Sequence, residues 1–144
     1  MTGRAKYNPE MLTKYGLKNI EFYHNLSHKQ LIDLLHSSDV FVFPSLCEGF
    51  AFVIIEAMST GLPIISTTRT AGRDIVREGI DGFTINPSSV DELYEKMKYF
   101  ITNPEQCSIM GKNAAATAKT ITWDNFENKV ISAIETIENQ YKHS

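Results

Sequence analysis

The sequence predicts an α/β protein built around a parallel β-sheet, and two patterns support this fold class. Four short apolar runs, at 19–23, 40–43, 63–67 and 83–85, have the length and the β-branched or aromatic content of strands. Segments with helical periodicity separate these runs. Strands that alternate with helices form parallel sheets with right-handed crossovers. We therefore expect a Rossmann-like parallel sheet of about four strands with flanking helices.

Start and stop signals place the helices. Ser27 is a good N-cap, Pro104 is favoured in the first turn of a helix, and Gly61 and Gly79 stand where helices would end. After residue 87 the pattern is helical throughout, and apolar residues at helical spacing predict packing faces. The predicted helices are 9–15, 28–36, 50–59, 73–78, 90–102, 104–120 and 123–141.

Composition limits the classes of function. The 144 residues suffice for one domain with a hydrophobic core, and 14 basic against 17 acidic residues leave a net charge of −3. This balance gives no support for a nucleic-acid partner. Cys47 and Cys107 form no C-x-x-C motif, which predicts reduced thiols in a cytoplasmic protein. The sequence has no apolar stretch long enough to cross a bilayer and no apolar N-terminal leader.

Glu56 is the one charged residue of an otherwise apolar predicted helix. No residue three or four positions away is basic, so a salt bridge within the helix does not explain it. Three partners stay open: solvent, a neighbouring loop, or the hydroxyls of a bound polyol, which suit an acceptor-only carboxylate. Of these three partners, the position of Glu48 favours a bound ligand, because Glu48 lies in the loop that leads into the same helix. There the N–H groups of Gly49, Phe50 and Ala51 could hold an anion.

Both glutamates lie in the segment PSLCEGFAFVIIEAMSTGLPII, which resembles the signature of retaining glycosyltransferases of the GT-B fold, family 4. The similarity extends from NIEFYHNLSHKQLIDLLHSSDVFVFPS to AGRDIVREGIDGF. The resemblance implies that 1–144 is a partial C-terminal nucleotide-sugar-binding domain, with an α/β part at about 1–87 and a helical part at 88–144. It also implies a truncation at the N-terminal side, since we find fewer strands than the family's domain contains.

The resemblance implies a role for each residue of the double-glutamate segment. Glu56 would bind the ribose hydroxyls of a nucleotide-sugar. Glu48 would lie near the donor sugar and stabilise positive charge in an oxocarbenium-like transition state, which makes it the candidate catalytic residue. Gly49, Phe50 and Ala51 would offer main-chain N–H groups to the sugar and diphosphate. Ala51 departs from the glycine of many family members, and its methyl group narrows the approach of a ligand to the backbone.

The segment that precedes the first well-defined helix is the candidate base-binding loop. By the same resemblance, Tyr23, His24, Asn25 and Leu26 would face the nucleobase, although His24 stands where the family frequently has glycine. Ser45 lies at the carboxyl end of its strand and is either a residue that lines the site or a former of the turn. His28 and His36 lie on one predicted helix at a spacing of eight, not at the i, i+4 spacing of a zinc pair, so we expect neither to be a metal ligand.

The resemblance implies the donor-binding half of a retaining glycosyltransferase in polysaccharide biosynthesis. Such an enzyme transfers a hexosyl group from an NDP-sugar to a glycan or lipid-linked acceptor. The sequence has no D-x-D motif, which fits an enzyme without a metal or other cofactor. The resemblance further implies that the acceptor-binding N-terminal domain lies outside these residues, and we expect no turnover by this chain alone because half a cleft cannot exclude water.

Two alternative functions stay open. One is a GT-B enzyme of different chemistry, an NDP-sugar epimerase or a phosphorylase. The other is a non-catalytic receiver-like α/β domain, which needs an aspartate at the carboxyl end of a strand, whereas Asp39 precedes its strand. Two associations are also open. The full-length protein could contact the inner face of a membrane peripherally, and this chain could dimerise through an exposed sheet edge.

Overall fold

The computed structural model of the protein describes residues 14, 16, 19–49 and 52–142. The predicted helix at 9–15 lies outside this part of the chain, apart from Lys14. The other predicted helices are confirmed, with ends that differ by a few residues. In chain order the described elements are α1 His28–His36, β1 Phe41–Phe43, α2 Phe52–Ser59, β2 Ile64–Thr67, α3 Gly72–Ile75, β3 Gly82–Ile85, α4 Val90–Thr102, α5 Pro104–Ala118 and α6 Trp123–Lys142.

The three strands form one parallel sheet in the order β1-β2-β3. Phe41 pairs with Ile64 across the first ladder, and Ile65 pairs with Phe83 across the second. Because every neighbour is parallel, all three strands end at the same edge of the sheet. The loops that follow β1 and β2 therefore lie side by side.

The prediction of a fourth strand at 19–23 is wrong, because the described sheet has three strands. All side chains from 19 to 25 are exposed, including Ile20 and Phe22. A strand gains stability from ladder hydrogen bonds and from the burial of one face, and this segment is not part of the ladder. The apolar residues of this segment have the composition of a strand, but within the described part of the chain the segment pairs with no strand of the sheet.

The predicted helix at 73–78 is shorter than expected and ends at Ile75. Val76 adopts extended backbone angles, and the chain then turns so that the N–H and guanidinium groups of Arg77 reach the carboxylate of Asp81. Gly79 has a φ of +71°, which suits a turn rather than a helix. The hydrogen bonds to Asp81 therefore replace the last turn that the sequence predicted.

The core lies on both faces of the sheet. Successive residues of a strand point to opposite faces, and the two fully buried isoleucines of β2 follow this rule. Ile64 belongs to a cluster with Ile54 and Met58 of α2, whereas Ile65 packs with Phe100 of α4. Helix α2 is thus held against one face of the sheet, at a fixed position beside β1 and β2.

Helix α5 approaches the turn that follows α2 closely. A Cβ atom at Gly111 would lie 2.0 Å from the carbonyl oxygen of Gly61. Only glycine lets the two backbones come this near. This contact, together with the burial of Ala114 in the cluster of Ile54 and Met58, holds α2 and α5 together.

Helix α6 differs from the other helices because all its described side chains are exposed. Its apolar residues recur at helical spacing, a pattern that predicts a packing face. The structure nevertheless leaves Trp123, Ile134 and Tyr141 76%, 52% and 81% exposed. Within the described part of the chain, α6 therefore adds no buried residue to the core. None of the described helices has the length and apolar character needed to cross a membrane.

Candidate functional site

Two loops meet at the edge where β1 and β2 end. The hydroxyl of Thr67 donates to the carbonyl oxygen of Ser45 at 2.6 Å, and the N–H group of Glu48 donates to the carbonyl oxygen of Arg69 at 3.2 Å. The hydroxyl of Ser45 lies 3.5 Å from the carbonyl oxygen of Cys47 in its own loop. This contact fits the role of Ser45 as a former of the turn, and its role as a residue that lines the site stays a prediction. The two loops are thereby joined into one surface.

An open depression lies on this surface and contains charges of both signs. Glu48 and Gly49 line it from the first loop, and Arg69 lines it from the second. Arg73 and Asp74 of α3 complete the charged part of its wall. All five residues are exposed, so a ligand could reach each of them from solvent. Guanidinium groups bind phosphate oxygens well, and a carboxylate close to them can accept hydroxyl groups or stabilise a developing positive charge.

Glu56 lies elsewhere, on α2. Its Oε1 atom is 3.1 Å from Nε2 of His28, the first residue of α1. The Glu56 side chain is 31% exposed, and the His28 side chain is 73% exposed. The structure does not include Glu56 in the wall of the Glu48 depression. Phe50 and Ala51, which link the two glutamates along the chain, lie outside the described residues.

The candidate base-binding loop precedes α1. Tyr23 and Leu26 line a shallow depression beside α1, together with Gln30 of that helix. Asn25 has a φ of +54°, a left-handed conformation that asparagine tolerates better than most residues. The hydroxyl of Tyr23 donates to the carboxylate of Glu21, and this hydrogen bond raises the pKa of Tyr23. His24 is exposed at the same bend.

A match to a family model decides which family the chain comes from. The model described as glycosyl transferases group 1 covers residues 3–117 of the sequence. The chain belongs to this family. The family that the double-glutamate segment predicted is therefore confirmed.

Relatives and solved structures of this glycosyltransferase chain agree with the match. Sucrose synthase from Melioribacter roseus is 30% identical over 134 residues, which cover 85% of this chain and 17% of that protein. Sucrose-phosphate synthase from Thermosynechococcus elongatus is 22% identical with a TM-score of 0.75, and the match covers 94% of this chain and 34% of that one. The Anabaena protein Alr3699/HepE in complex with UDP-glucose is 22% identical with a TM-score of 0.74, covering 88% and 35%.

These similarities establish the fold as that of part of a GT-B glycosyltransferase. The chain spans about a third or less of the length of each of these proteins. Within the described residues, no three or more histidine, cysteine, aspartate or glutamate side chains are grouped so that they could hold a metal ion.

Sequence reasoning on this glycosyltransferase chain missed the partner of Glu56. His28 was considered only as a metal ligand, and it precedes Glu56 by 28 positions. The Ser27 cap that starts α1 was a signal for the position of His28 in its helix. No local signal, however, showed that this end of α1 lies against α2, since that depends on how the two helices pack.

Proposed function

We propose that this chain binds the nucleotide-sugar donor of a retaining glycosyltransferase that transfers a hexosyl group to a glycan or lipid-linked acceptor. The observation that carries the proposal is the depression at the carboxyl edge of the parallel sheet, where Glu48 and Gly49 meet Arg69 and Arg73. Ligands of open parallel sheets bind at this edge. The family membership and the UDP-glucose in the structure of Alr3699/HepE support it.

Each group in the depression suits one part of such a donor. Arg69 and Arg73 are positioned to meet the diphosphate, because guanidinium groups match phosphate oxygens in charge and geometry. Glu48 would stabilise the positive charge that develops on the sugar ring as the bond to the diphosphate breaks. Glu56 would accept hydrogen bonds from the ribose hydroxyls, and the segment from Tyr23 to Leu26 would contact the base.

The proposal includes catalysis without a metal ion. In metal-dependent transferases a divalent cation neutralises the leaving diphosphate. The two arginines of the depression supply positive charge at the corresponding place in this proposal. Addition of EDTA is accordingly expected to leave donor binding unchanged.

We further propose that the acceptor site is formed by a part of the enzyme outside this chain. The relatives are several times longer than the matched region, and a cleft between two domains would exclude water during transfer. This chain alone is therefore expected to bind the donor without turnover. Robust transfer or hydrolysis of an NDP-sugar by the chain alone would contradict this part of the proposal.

We place the enzyme in the cytoplasm. Cys47 is an exposed free thiol and Cys107 is a partly buried free thiol. Unpaired cysteines persist most readily in a reducing compartment. Peripheral contact with the inner face of a membrane would bring such an enzyme to a lipid-linked acceptor.

A ligand-observed NMR titration with UDP, GDP and ADP tests the donor site. We expect one nucleotide to bind selectively, and we expect Glu56→Gln to weaken it by about tenfold, since hydrogen bonds to charged groups contribute about 1.5–3 kcal/mol. Glu135→Gln, an exposed glutamate of α6, is the matched control and should bind like the unmodified chain. Absence of binding by all three nucleotides would contradict the proposed function.

A further inference from the structure

The contact between His28 and Glu56 joins two helices that are far apart in sequence. Nε2 of His28 and Oε1 of Glu56 are 3.1 Å apart. Among the described side chains, His28 is the one that bonds to this carboxylate. The Glu56 side chain is 31% exposed, so a ligand can reach it. The carboxylate of Glu56 is thus held by His28 and is also accessible from solvent.

Two features fix the position of His28. The hydroxyl of Ser27 accepts from the N–H group of Gln30 at 3.3 Å, and the side-chain oxygen of Gln30 accepts from the N–H group of Ser27 at 2.9 Å. This capping box defines the first turn of α1, in which His28 is the first residue. Helix α1 is in turn anchored by Leu35, which is buried in the same cluster as Ile54 of α2. His28 is therefore presented to α2 by a rigid support.

A glutamate without such a partner would sample many orientations. Ordering a glutamate side chain costs rotamer entropy. A hydrogen bond from His28 removes part of this cost before a ligand arrives, since the carboxylate is already oriented. Preorganisation of this kind increases affinity without any new contact to the ligand.

We propose that His28 is a positioning residue that orients the carboxylate of Glu56 toward the ribose hydroxyls of the nucleotide. This inference rests on the proposed function, because it assumes that Glu56 binds ribose. In the bound state the N–H group at Nε2 of His28 donates to Oε1 of Glu56. The 2′- and 3′-hydroxyls of the ribose donate to the remaining acceptor positions of the same carboxylate.

A purely structural role for the contact between His28 and Glu56 predicts a different effect of removing His28. An exposed pair of this kind contributes little to stability. If His28 only linked α1 to α2, its removal would lower stability slightly and leave ligand selectivity unchanged. Discrimination between ribose and deoxyribose is therefore the readout that separates positioning from structural support.

The test compares UDP, GDP and ADP with their 2′-deoxy counterparts, by NMR titration of the whole chain. The ratio of the two dissociation constants measures the ribose contact for the nucleotide that binds. We expect about a tenfold preference for the ribonucleotide, as for hydrogen bonds to a charged group. Glu56→Gln and His28→Ala should each reduce this ratio at least about threefold, and the double variant should reduce it no further than Glu56→Gln does.

Three further variants complete the design. His28→Gln retains an N–H donor and should restore most of the selectivity. His28→Glu places a negative charge in the first turn of α1, where the helix dipole favours it, so the fold is retained while Glu56 is repelled. Its ribose selectivity should be lost. His36→Ala, at the other end of the same helix, is the control and should leave the ratio unchanged.

The outcomes separate this inference from the proposed function. A normal ratio in both His28→Ala and His28→Glu, together with loss of selectivity in Glu56→Gln, would overturn the positioning role and leave the donor site intact. A ratio near one in the unmodified chain would overturn the ribose role of Glu56 and this inference with it. Failure of every nucleotide to bind would overturn the proposed function itself.

Discussion

Asp81 is the residue that holds together the turn before β3. Its side chain is fully buried and accepts hydrogen bonds from the guanidinium group of Arg77 at 2.7 and 2.8 Å and from the hydroxyl of Thr117 of α5 at 3.1 and 3.2 Å. Burial by itself raises the pKa of Asp81, but the hydrogen bonds from Arg77 and Thr117 outweigh it and lower the pKa below its ordinary value. The ionised form is therefore favoured in the folded protein.

Because the folded protein favours ionised Asp81, we predict that acid destabilises the fold by protonating this carboxylate. Its folded pKa lies below its unfolded pKa of about 3.9, so its contribution is complete above that value and is lost as the pH falls through the folded pKa. Urea unfolding between pH 7 and pH 2 should show a loss of free energy of unfolding below about pH 4. In Asp81→Asn the free energy at pH 7 should fall by about 1–3 kcal/mol, and part of the acid dependence should disappear.

Asp33→Asn is the control for this prediction, since Asp33 is an exposed residue of α1. It should keep both the stability and the acid dependence of the unmodified chain. An Asp81→Asn variant with the same pH profile as the unmodified chain would show that another group causes the loss.

Single residues also show what the sequence could predict about the site. Glu56 was recognised as anomalous because a charge in an apolar helix requires a partner, and that partner exists. Its identity could not be predicted, since His28 reaches Glu56 only through the packing of α1 on α2. In the sequence, Asp81 and Gly82 form an Asp-Gly pair, which is an ordinary turn signal. An Asp-Gly pair in a sequence does not tell whether the aspartate lies on the surface or is buried. The bonds of Asp81 to Arg77 and Thr117, which the fold brings together, decide this.

At the scale of elements, local signals predicted helices better than strands. Helix α1 begins after Ser27 as expected because a cap acts through bonds within its own first turn. The segment at 19–23 has the composition of a strand, but a strand requires a neighbour that local sequence does not supply. Helix α3 is shorter than predicted because Arg77 bonds to a carboxylate beyond the helix.

The close approach of α5 to the end of α2 leads to a prediction for Gly111. Alanine normally stabilises the interior of a helix relative to glycine. Here its Cβ would lie 2.0 Å from the carbonyl oxygen of Gly61, a backbone atom that cannot rotate away. Gly111→Ala should therefore destabilise the protein by about 1–3 kcal/mol, the range found for overpacked cores. Chemical denaturation measures this value directly.

Lys112→Ala is the matched control for that variant, because Lys112 is exposed on the same turn of α5. It should change the free energy of unfolding by no more than about 0.5 kcal/mol. Equal stability of Gly111→Ala and the unmodified chain would mean that α5 can move away from α2 at little cost. In that case α5 would not determine the position of the helix that carries Glu56.

At the scale of the whole molecule, the edge of β1 that faces away from β2 is the feature that bears on self-association. The N–H group of Phe41 donates to the carbonyl oxygen of Pro63 beside β2. Backbone groups of successive strand residues point to opposite sides, so Val42 directs its N–H and carbonyl groups away from the sheet. Within the described residues no strand covers this edge. An uncovered strand edge is a template for pairing with another chain.

We therefore expect this chain to dimerise through β1 as its concentration rises. Val42→Pro removes the outward N–H group and leaves the β1–β2 ladder intact, because proline is tolerated at a sheet edge. Light scattering coupled to size-exclusion chromatography should show dimers of the unmodified chain and monomers of Val42→Pro. Val42→Ile keeps the N–H group and should dimerise. A chain that stays monomeric at every concentration, or a Val42→Pro variant that dimerises like the unmodified chain, would exclude this edge as the interface.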